Sequence, residues 1–418
     1  MFKKRNLIFI SLLVLGVFLI SGCWLISTPT YTVTYDGNGY TGGSVPTDST
    51  VYEENDTVTV LDKGALLKTG YTFAGWNTAA EGSGTDHAVG STFTMGVADV
   101  TLYAKWATNT YTVTFNSQGG STVSSQTVEH GGKITKPTNP TRTGYTFAGW
   151  YRESGCTTPW NFATDTVTSN VTLYAKWATN TYTVTFDKNG GDTEADPKTK
   201  AATHGGTVGT LPTEPTRTDY TFASWNTEAG GGGTEFTAVT AVTADITVYA
   251  QWTIVVGASY GGGIVAYILQ SGDPGYDANV QHGLIAATAD QNGGAAIAWS
   301  NIENTLVGTT GTAIGIGQAN TTAIVGQDGC TSGAAWLCNY LTEGGYTDWF
   351  LPSKDELNKL YLNKVTIGGF AEDEWWEGGY WSSSEATADL ARAQGFYDGT
   401  QFTGSKGGIR HIRAVRAF

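Results

Sequence analysis

The chain has 418 residues and a formal net charge of −14, with 37 acidic residues against 23 basic ones. That balance excludes nucleic-acid binding, and adhesion to anionic surfaces, by bulk charge. The length exceeds what a single core organises, so several domains are expected.

Lys3, Lys4 and Arg5 precede an uncharged, mostly apolar run from Leu7 to Ile20, closed by Ser21, Gly22 and Cys23. A run of about 14 residues rises roughly 21 Å as a helix, short of the ~30 Å core of a bilayer. The segment therefore reads as a secretory signal. Its ending resembles the lipobox of bacterial lipoproteins. The resemblance implies a signal peptide over 1–22, lipid on the sulfur of Cys23, and a tether over 23–30 that holds the exported chain at the cell envelope. Trp24 stands where an inner-membrane retention signal has Asp, so the outer membrane or cell surface is expected.

Three similar segments follow, over 31–110, 111–181 and 182–253. Each opens on an alternating strand: YTVTYDGNG at Tyr31, YTVTFNSQGG at Tyr111, YTVTFDKNGG at Tyr182. Alternation puts Tyr, Val and Phe on one face and Thr on the other. Each segment then reaches GYTFAGW (Gly70–Trp76, Gly144–Trp150) or DYTFASW (Asp219–Trp225), and closes on TLYAKW or TVYAQW. Internal repetition of this kind marks a building unit. The copies resemble the Listeria–Bacteroides repeat, the internalin B-type repeat of bacterial surface proteins, which implies a small β-grasp-like fold for each. A domain near 70 residues is only marginally stable, so Tyr71, Phe73 and Trp76, with Tyr145, Phe147 and Trp150, read as core. The competing reading is a carbohydrate platform built of the same rings. Only ATNT (Ala107–Thr110, Ala178–Thr181) separates the copies, and the array reads as a stiff stalk.

The last segment, 254–418, has eight Lys/Arg against sixteen Asp/Glu and no copy of the heptapeptide. A helix is expected near Ser332–Thr342, stopped by Gly344 and Gly345. A second helix is expected within Leu351–Tyr361, with Ser353 as cap, Glu356 completing a capping box, and Leu357, Leu360 and Tyr361 buried. Four motifs in order, GGYTDWFLPSKDELNKLY, YWSSSE, QGFYDGTQ and IRAVR, resemble a family of bacterial extracellular domains named for the C-terminal domain of the Legionella collagen-like adhesin. This resemblance implies an α+β, C-type-lectin-like domain related to the formylglycine-generating-enzyme superfamily, with its first and last strands paired. It also implies a glycan or matrix ligand, or, on the same fold, a variable protein-binding receptor.

No catalytic constellation is legible. Related oxidases need a catalytic cysteine pair, and this domain offers Cys330 and Cys338 away from the terminal motifs; those two could instead pair as a disulfide, leaving Cys156 odd. His282 and His411 lack an identifiable triad. No cofactor motif is present. The acids of EDEWWEGG (Glu372–Gly379) match no calcium-site spacing and read as a solvated loop. Binding hot spots favour aromatics and Arg, so the expected ligand face comprises Trp375, Trp376, Tyr380, Arg392, Tyr397, Asp398, Gln401 and Phe402. Lys406, Arg410, Arg413 and Arg416 read as a local basic strip that a sulfated polysaccharide would favour. The expected partners are the membrane, through Cys23, and an extracellular glycan or protein.

Overall fold

The computed structural model describes residues 27–308, 310–372 and 379–418. Cys23, the signal segment, Trp375, Trp376 and most of the acidic loop lie outside these residues. The chain divides into two compact units, one ending at Ala178 and the other running from Thr179 to Phe418. Among the described residues, no helix is long and apolar enough to cross a membrane.

Each repeat is a small mixed sheet. In the first, β1 (Val33–Asp36), β2 (Tyr71–Asn77), β3 (Asp86–His87) and β4 (Val100–Thr108) lie in the order β1-β4-β2-β3. The opening strand runs parallel to the closing strand, Val33 opposite Val100, and the heptapeptide strand is antiparallel to it, Trp76 opposite Ala104. The second repeat repeats this with β5 (Thr110–Asn116), β6 (Gln126–Glu129), β7 (Tyr145–Tyr151) and β8 (Val171–Thr179), ordered β6-β5-β8-β7. The third has β9 (Thr181–Asp187), β10 (Thr199–Thr203), β11 (Tyr220–Asn226), β12 (Glu235–Phe236) and β13 (Ile246–Ile254), ordered β10-β9-β13-β11-β12.

The alternation seen in the sequence is the alternation of burial. Val33 and Tyr35, Val113 and Phe115, Val184 and Phe186 are buried, whereas the intervening threonines mostly face water. The heptapeptide tryptophans Trp76, Trp150 and Trp225 are the centre of each core, 0–2% exposed, with Leu102, Leu173 and Val248 of the closing strand against them. A turn amide fastens the first strand to the last in every copy. Asn38, Gln118 and Asn189 adopt positive φ of 44–47°. Their side-chain amides donate to the carbonyls of Ala104, Ala175 and Ala250 at 2.8–2.9 Å. Short polar side chains tolerate this left-handed conformation better than bulky ones, which explains Asn at two of the three positions.

The C-terminal domain is built differently. One sheet, in chain order, comprises β14 (Ser259–Tyr260), β15 (Gly263–Ile268), β16 (Gly283–Ala286) and β20 (Val415–Ala417). The last strand pairs with the third strand of the sheet, Ile285 opposite Arg416, and not with the first as expected from the resemblance. A second sheet is the meander β17 (Gly379–Glu385), β18 (Leu390–Gly395) and β19 (Gln401–Ser405). The helices are α1 (Gly317–Val325), α2 (Ala334–Asn339), α3 (Lys354–Leu362) and α4 (Lys364–Ile367); α3 packs on both sheets, α1 on the meander and on α2, and α4 on the first sheet. Three fully buried tryptophans, Trp299, Trp349 and Trp381, anchor the core. Their indole N–H groups donate to the carbonyls of Ser382, Glu343 and Ile297.

Helix α3 begins as its sequence requires. Ser353 Oγ accepts from Glu356 N, and Glu356 Oε2 accepts from Ser353 N at 2.7 Å, completing the capping box. Leu357 and Leu360 are buried, and Tyr361 is half-buried. The domain is seated on the third repeat through Ile254, whose N–H and C=O both bond the side-chain amide of Gln281 at 2.9 Å.

Candidate ligand-binding surface

The expected ligand face separates into three environments. Tyr397, Asp398 and Gln401 are exposed at the turn between β18 and β19, and Tyr397 leaves 56% of its surface in solvent. The turn is held by Asp398, whose carboxylate accepts from Thr400 N at 2.9 Å and from the Thr400 hydroxyl at 2.6 Å. Those bonds hold its carboxyl below the usual range. The turn is backed by Tyr361, since a Cβ at Gly399 would lie 2.6 Å from its ring. Exposed Leu362 and Val365 follow Tyr361 at the end of α3 and in α4. The periodicity of α3 pointed to its buried face and gave no sign of these two apolar side chains.

Arg392 and Phe402 do not share a face. Arg392 pairs with Thr403 and Phe402 with Ala393, so alternation sends their side chains to opposite sides of the sheet. Phe402 packs on the core and against the guanidinium of Arg410. Tyr380 is a correction to the expected set. It is fully buried, its hydroxyl bonds Asp290 and accepts from Ala371 N at 2.6 Å, and its ring packs on Phe370, Phe396 and His411. Burial, first, and the Asp290 carboxylate push its phenol far above the ordinary value.

The basic strip is also corrected. Lys406 and Arg413 are fully buried; Arg410 and Arg416 are 7% and 9% exposed. Lys406 pairs with Glu385, Arg413 with Asp290 and Arg416 with Asp348. The Arg410 guanidinium lies 5.5 Å from the ring centroids of Trp381 and Phe402. These cations hold the fold together and are not presented to an anion.

Cys330 and Cys338 are both free, so the pairing left open by the sequence is not made. Cys338 sits in the core beside Trp299 and Ala335, where burial raises its thiol pKa well above the ordinary value. Ser382, Ser383 and Ser384 are fully buried and committed to structure: Ser382 Oγ donates to Arg392 O, Ser384 Oγ to Gly311 O, and Ser383 Oγ accepts from Asn320. His282 Nδ1 lies 3.2 Å from Phe418 O. A recess of about 260 Å3 is lined by Leu284, Ile314, Phe350 and Phe418 together with His282 and Glu356. Among the described residues, no group of three His, Cys, Asp or Glu side chains could hold a metal ion.

In the repeats, the rings expected to form core divide. Trp76 is fully buried, Phe73 is partly buried, and Tyr71 is 36% exposed. The tyrosine of each heptapeptide carries a stacked cation instead: Lys68 on Tyr71, Arg142 on Tyr145 and Arg217 on Tyr220, at 3.9–4.8 Å. The closing tryptophans Trp106, Trp177 and Trp252 are half-buried, and each donates its N–H to an opening-turn carbonyl.

The Listeria-Bacteroides repeat domain matches residues 31–105, 111–176 and 182–251. A protein of Evansella cellulosilytica described as a Gly-rich membrane protein is 42% identical over 229 residues, 54% of this chain and 25% of that protein. Internalin H of Listeria monocytogenes is 38% identical over 151 residues, 35% of this chain and 26% of its own length. The chain thus spans about a quarter of either relative. A fimbrial protein from Bacteroides ovatus aligns over 92% of this chain and 97% of its own at 12% identity; its TM-score of 0.28 supports no shared fold. With three consecutive copies filling half of its sequence, the chain belongs to the Listeria-Bacteroides repeat family.

Proposed function

We propose that the protein is a lipid-anchored attachment protein of the cell envelope, in which the repeats act as a stalk and the C-terminal domain binds an extracellular glycan or matrix ligand. One observation carries this reading. Three copies of a single fold spend their shared tryptophans on their own cores, and a domain of different construction follows them. Repetition of a unit that spends its tryptophans on its own core supplies length. Relatives described as a membrane protein and as an internalin support an envelope location. Cys23 is the proposed lipid site.

Contact is assigned to the β18–β19 turn. Tyr397 supplies an exposed ring able to stack on a sugar face, and Asp398 and Gln401 supply adjacent acceptors and donors. The burial of Lys406, Arg410, Arg413 and Arg416 favours a neutral glycan over a sulfated one. Hydroxyls and thiols committed to packing support a binding role over catalysis. The test is the purified mature protein on parallel glycan and protein arrays, beside its Tyr397→Ala variant. Glycan binding that falls at least ~10-fold in the variant is expected. Binding on the protein array alone would replace the glycan by a protein ligand.

A further inference from the structure

Gly70, Asn109 and His130 meet where the first repeat passes into the second. Gly70 stands before the heptapeptide strand at φ +79°, and its carbonyl accepts from Asn109 N at 2.9 Å. The Asn109 carbonyl accepts from His130 N at 2.8 Å, and its side-chain oxygen accepts from the Thr72 hydroxyl at 2.6 Å. The imidazole of His130 then occupies the place a side chain would take on Gly70. A Cβ built there would lie 2.0 Å from the imidazole Cδ2. Tyr111 packs on the same imidazole with centroids 5.9 Å apart. The second repeat is thus seated on the first by a ring that fits only against glycine.

The residues at these places vary with what adjoins each repeat in the chain. Strand register aligns Glu53, Glu129 and Thr203, opposite Thr30, Thr110 and Thr181, so Glu54, His130 and His204 are equivalent. Gly70, Gly144 and Asp219 precede the three heptapeptide strands, and Asn109, Asn180 and Val255 follow the closing strands. The second and third repeats, each preceded by a repeat, have His. The first, preceded by residues 1–30 with no copy, has Glu. The first two repeats, each followed by a repeat, have Gly and Asn. The third, followed by the C-terminal domain, has Asp and Val.

That third position keeps the backbone and changes the seat. Asp219 has φ +66°, and Val255 N donates to its carbonyl at 3.2 Å, as Asn109 N does to Gly70. The Asp219 carboxylate accepts from Ser259 N at 3.4 Å. Ile254, Ala258 and Val265 bury together beneath, with Tyr220, Val255 and Phe418 packed against them.

We propose that Gly70 and Asn109 form a docking surface that accepts a following repeat through its His, here His130 of the second repeat, and that Asp219 and Val255 convert the same surface into one that accepts the C-terminal domain. The order of the domains is thereby written in the junctions, and Ala107–Thr110 is a fixed joint. This holds whatever ligand the C-terminal domain binds.

Spin labels on non-native side chains at exposed Val97 and Thr168 of the full chain report the joint by their distance distribution. The parent chain is expected to give one narrow distribution. Gly70→Asp, a residue the same backbone carries at 219, is expected to broaden it about twofold or more by displacing His130. His130→Ala, which leaves the Gly70 backbone untouched, is expected to broaden it in the same sense, and it decides the matter if tryptophan fluorescence shows the Gly70→Asp repeat unfolded. Labels at Val239 and Val280 serve the second seat, where Asp219→Gly is expected to broaden the distribution and Gly70→Asp to leave it unchanged. A parent distribution already broad, or widths unmoved by Gly70→Asp and His130→Ala, would overturn the repeat seat; a width unmoved by Asp219→Gly would overturn the dedicated one.

Discussion

Lys406 Nζ lies 2.6 Å from Glu385 Oε1, and the two side chains are 0% and 4% exposed. The same carboxylate accepts from Val307 N and Gly308 N, and Lys406 also donates to Thr305 O at 2.9 Å. Two charges removed from water are tolerated because their remaining donors and acceptors are met. Lys406→Met strands Glu385 as a buried unpaired acid, a loss of about 3–5 kcal/mol. Lys406→Met with Glu385→Leu should recover much of that loss, since burying neither charge is often no worse than burying both. Urea unfolding followed through Trp299, over which Lys406 Nζ sits at 4.9 Å, provides the readout.

The heptapeptide divides its aromatic residues between core and surface, and substitution should separate them. Trp76→Ala removes the fully buried centre of the first repeat, at a cost of about 3–5 kcal/mol. A domain of this size has little stability to lose, so the first repeat should unfold at room temperature while the second keeps its structure. Tyr71→Ala removes an exposed ring and its stacked Lys68, worth about 1 kcal/mol, and should leave the repeat folded. Proteolysis of the intact chain distinguishes the two, with cleavage inside residues 31–105 expected for Trp76→Ala alone.

Glu356 makes stability depend on pH in a direction opposite to that of a salt-bridged acid. Burial, the largest cause, raises its pKa, and the backbone N–H groups of Ser353, Gly315 and Gly317 oppose the shift without cancelling it. The folded protein therefore holds the proton to higher pH than the unfolded chain. The contribution of this group is fully present below the unfolded value of about 4.3 and is lost as pH rises through the folded value. Glu356→Gln keeps an acceptor oxygen but cannot titrate. The stability of the variant relative to the parent should rise with pH across that window and level off above it. A constant difference from pH 4 to 8 would show that folding leaves the pKa of this carboxyl unchanged, and would contradict the raised value.

What could be read from the sequence was local. The YTVTF alternation, the threefold heptapeptide and the Ser353–Glu356 spacing all declare themselves within a few residues, and each folds as its pattern requires. What could not be read depended on distant partners. Arg413 meets Asp290 and Arg416 meets Asp348, pairs so far apart in sequence that four cations in a row looked like a surface strip. Tyr380 lies in GYWSSSE, a strand buried on both faces through Ser384, where no alternation marks inside from outside. Helix α1 went unseen because GQANTTAIV has no capping side chain and a Gly–Gln start. Tertiary bonds hold it instead, with buried Asn320 reaching Gly311 O and Thr321 reaching Leu351 O.

The most direct test of the account compares attachment of cells that display the full chain with that of cells displaying residues 1–253. Both should be held at the envelope through Cys23, but only the full chain should attach, and soluble C-terminal domain added in excess should compete. Equal attachment by the shortened chain would place the binding in the repeats and contradict the account.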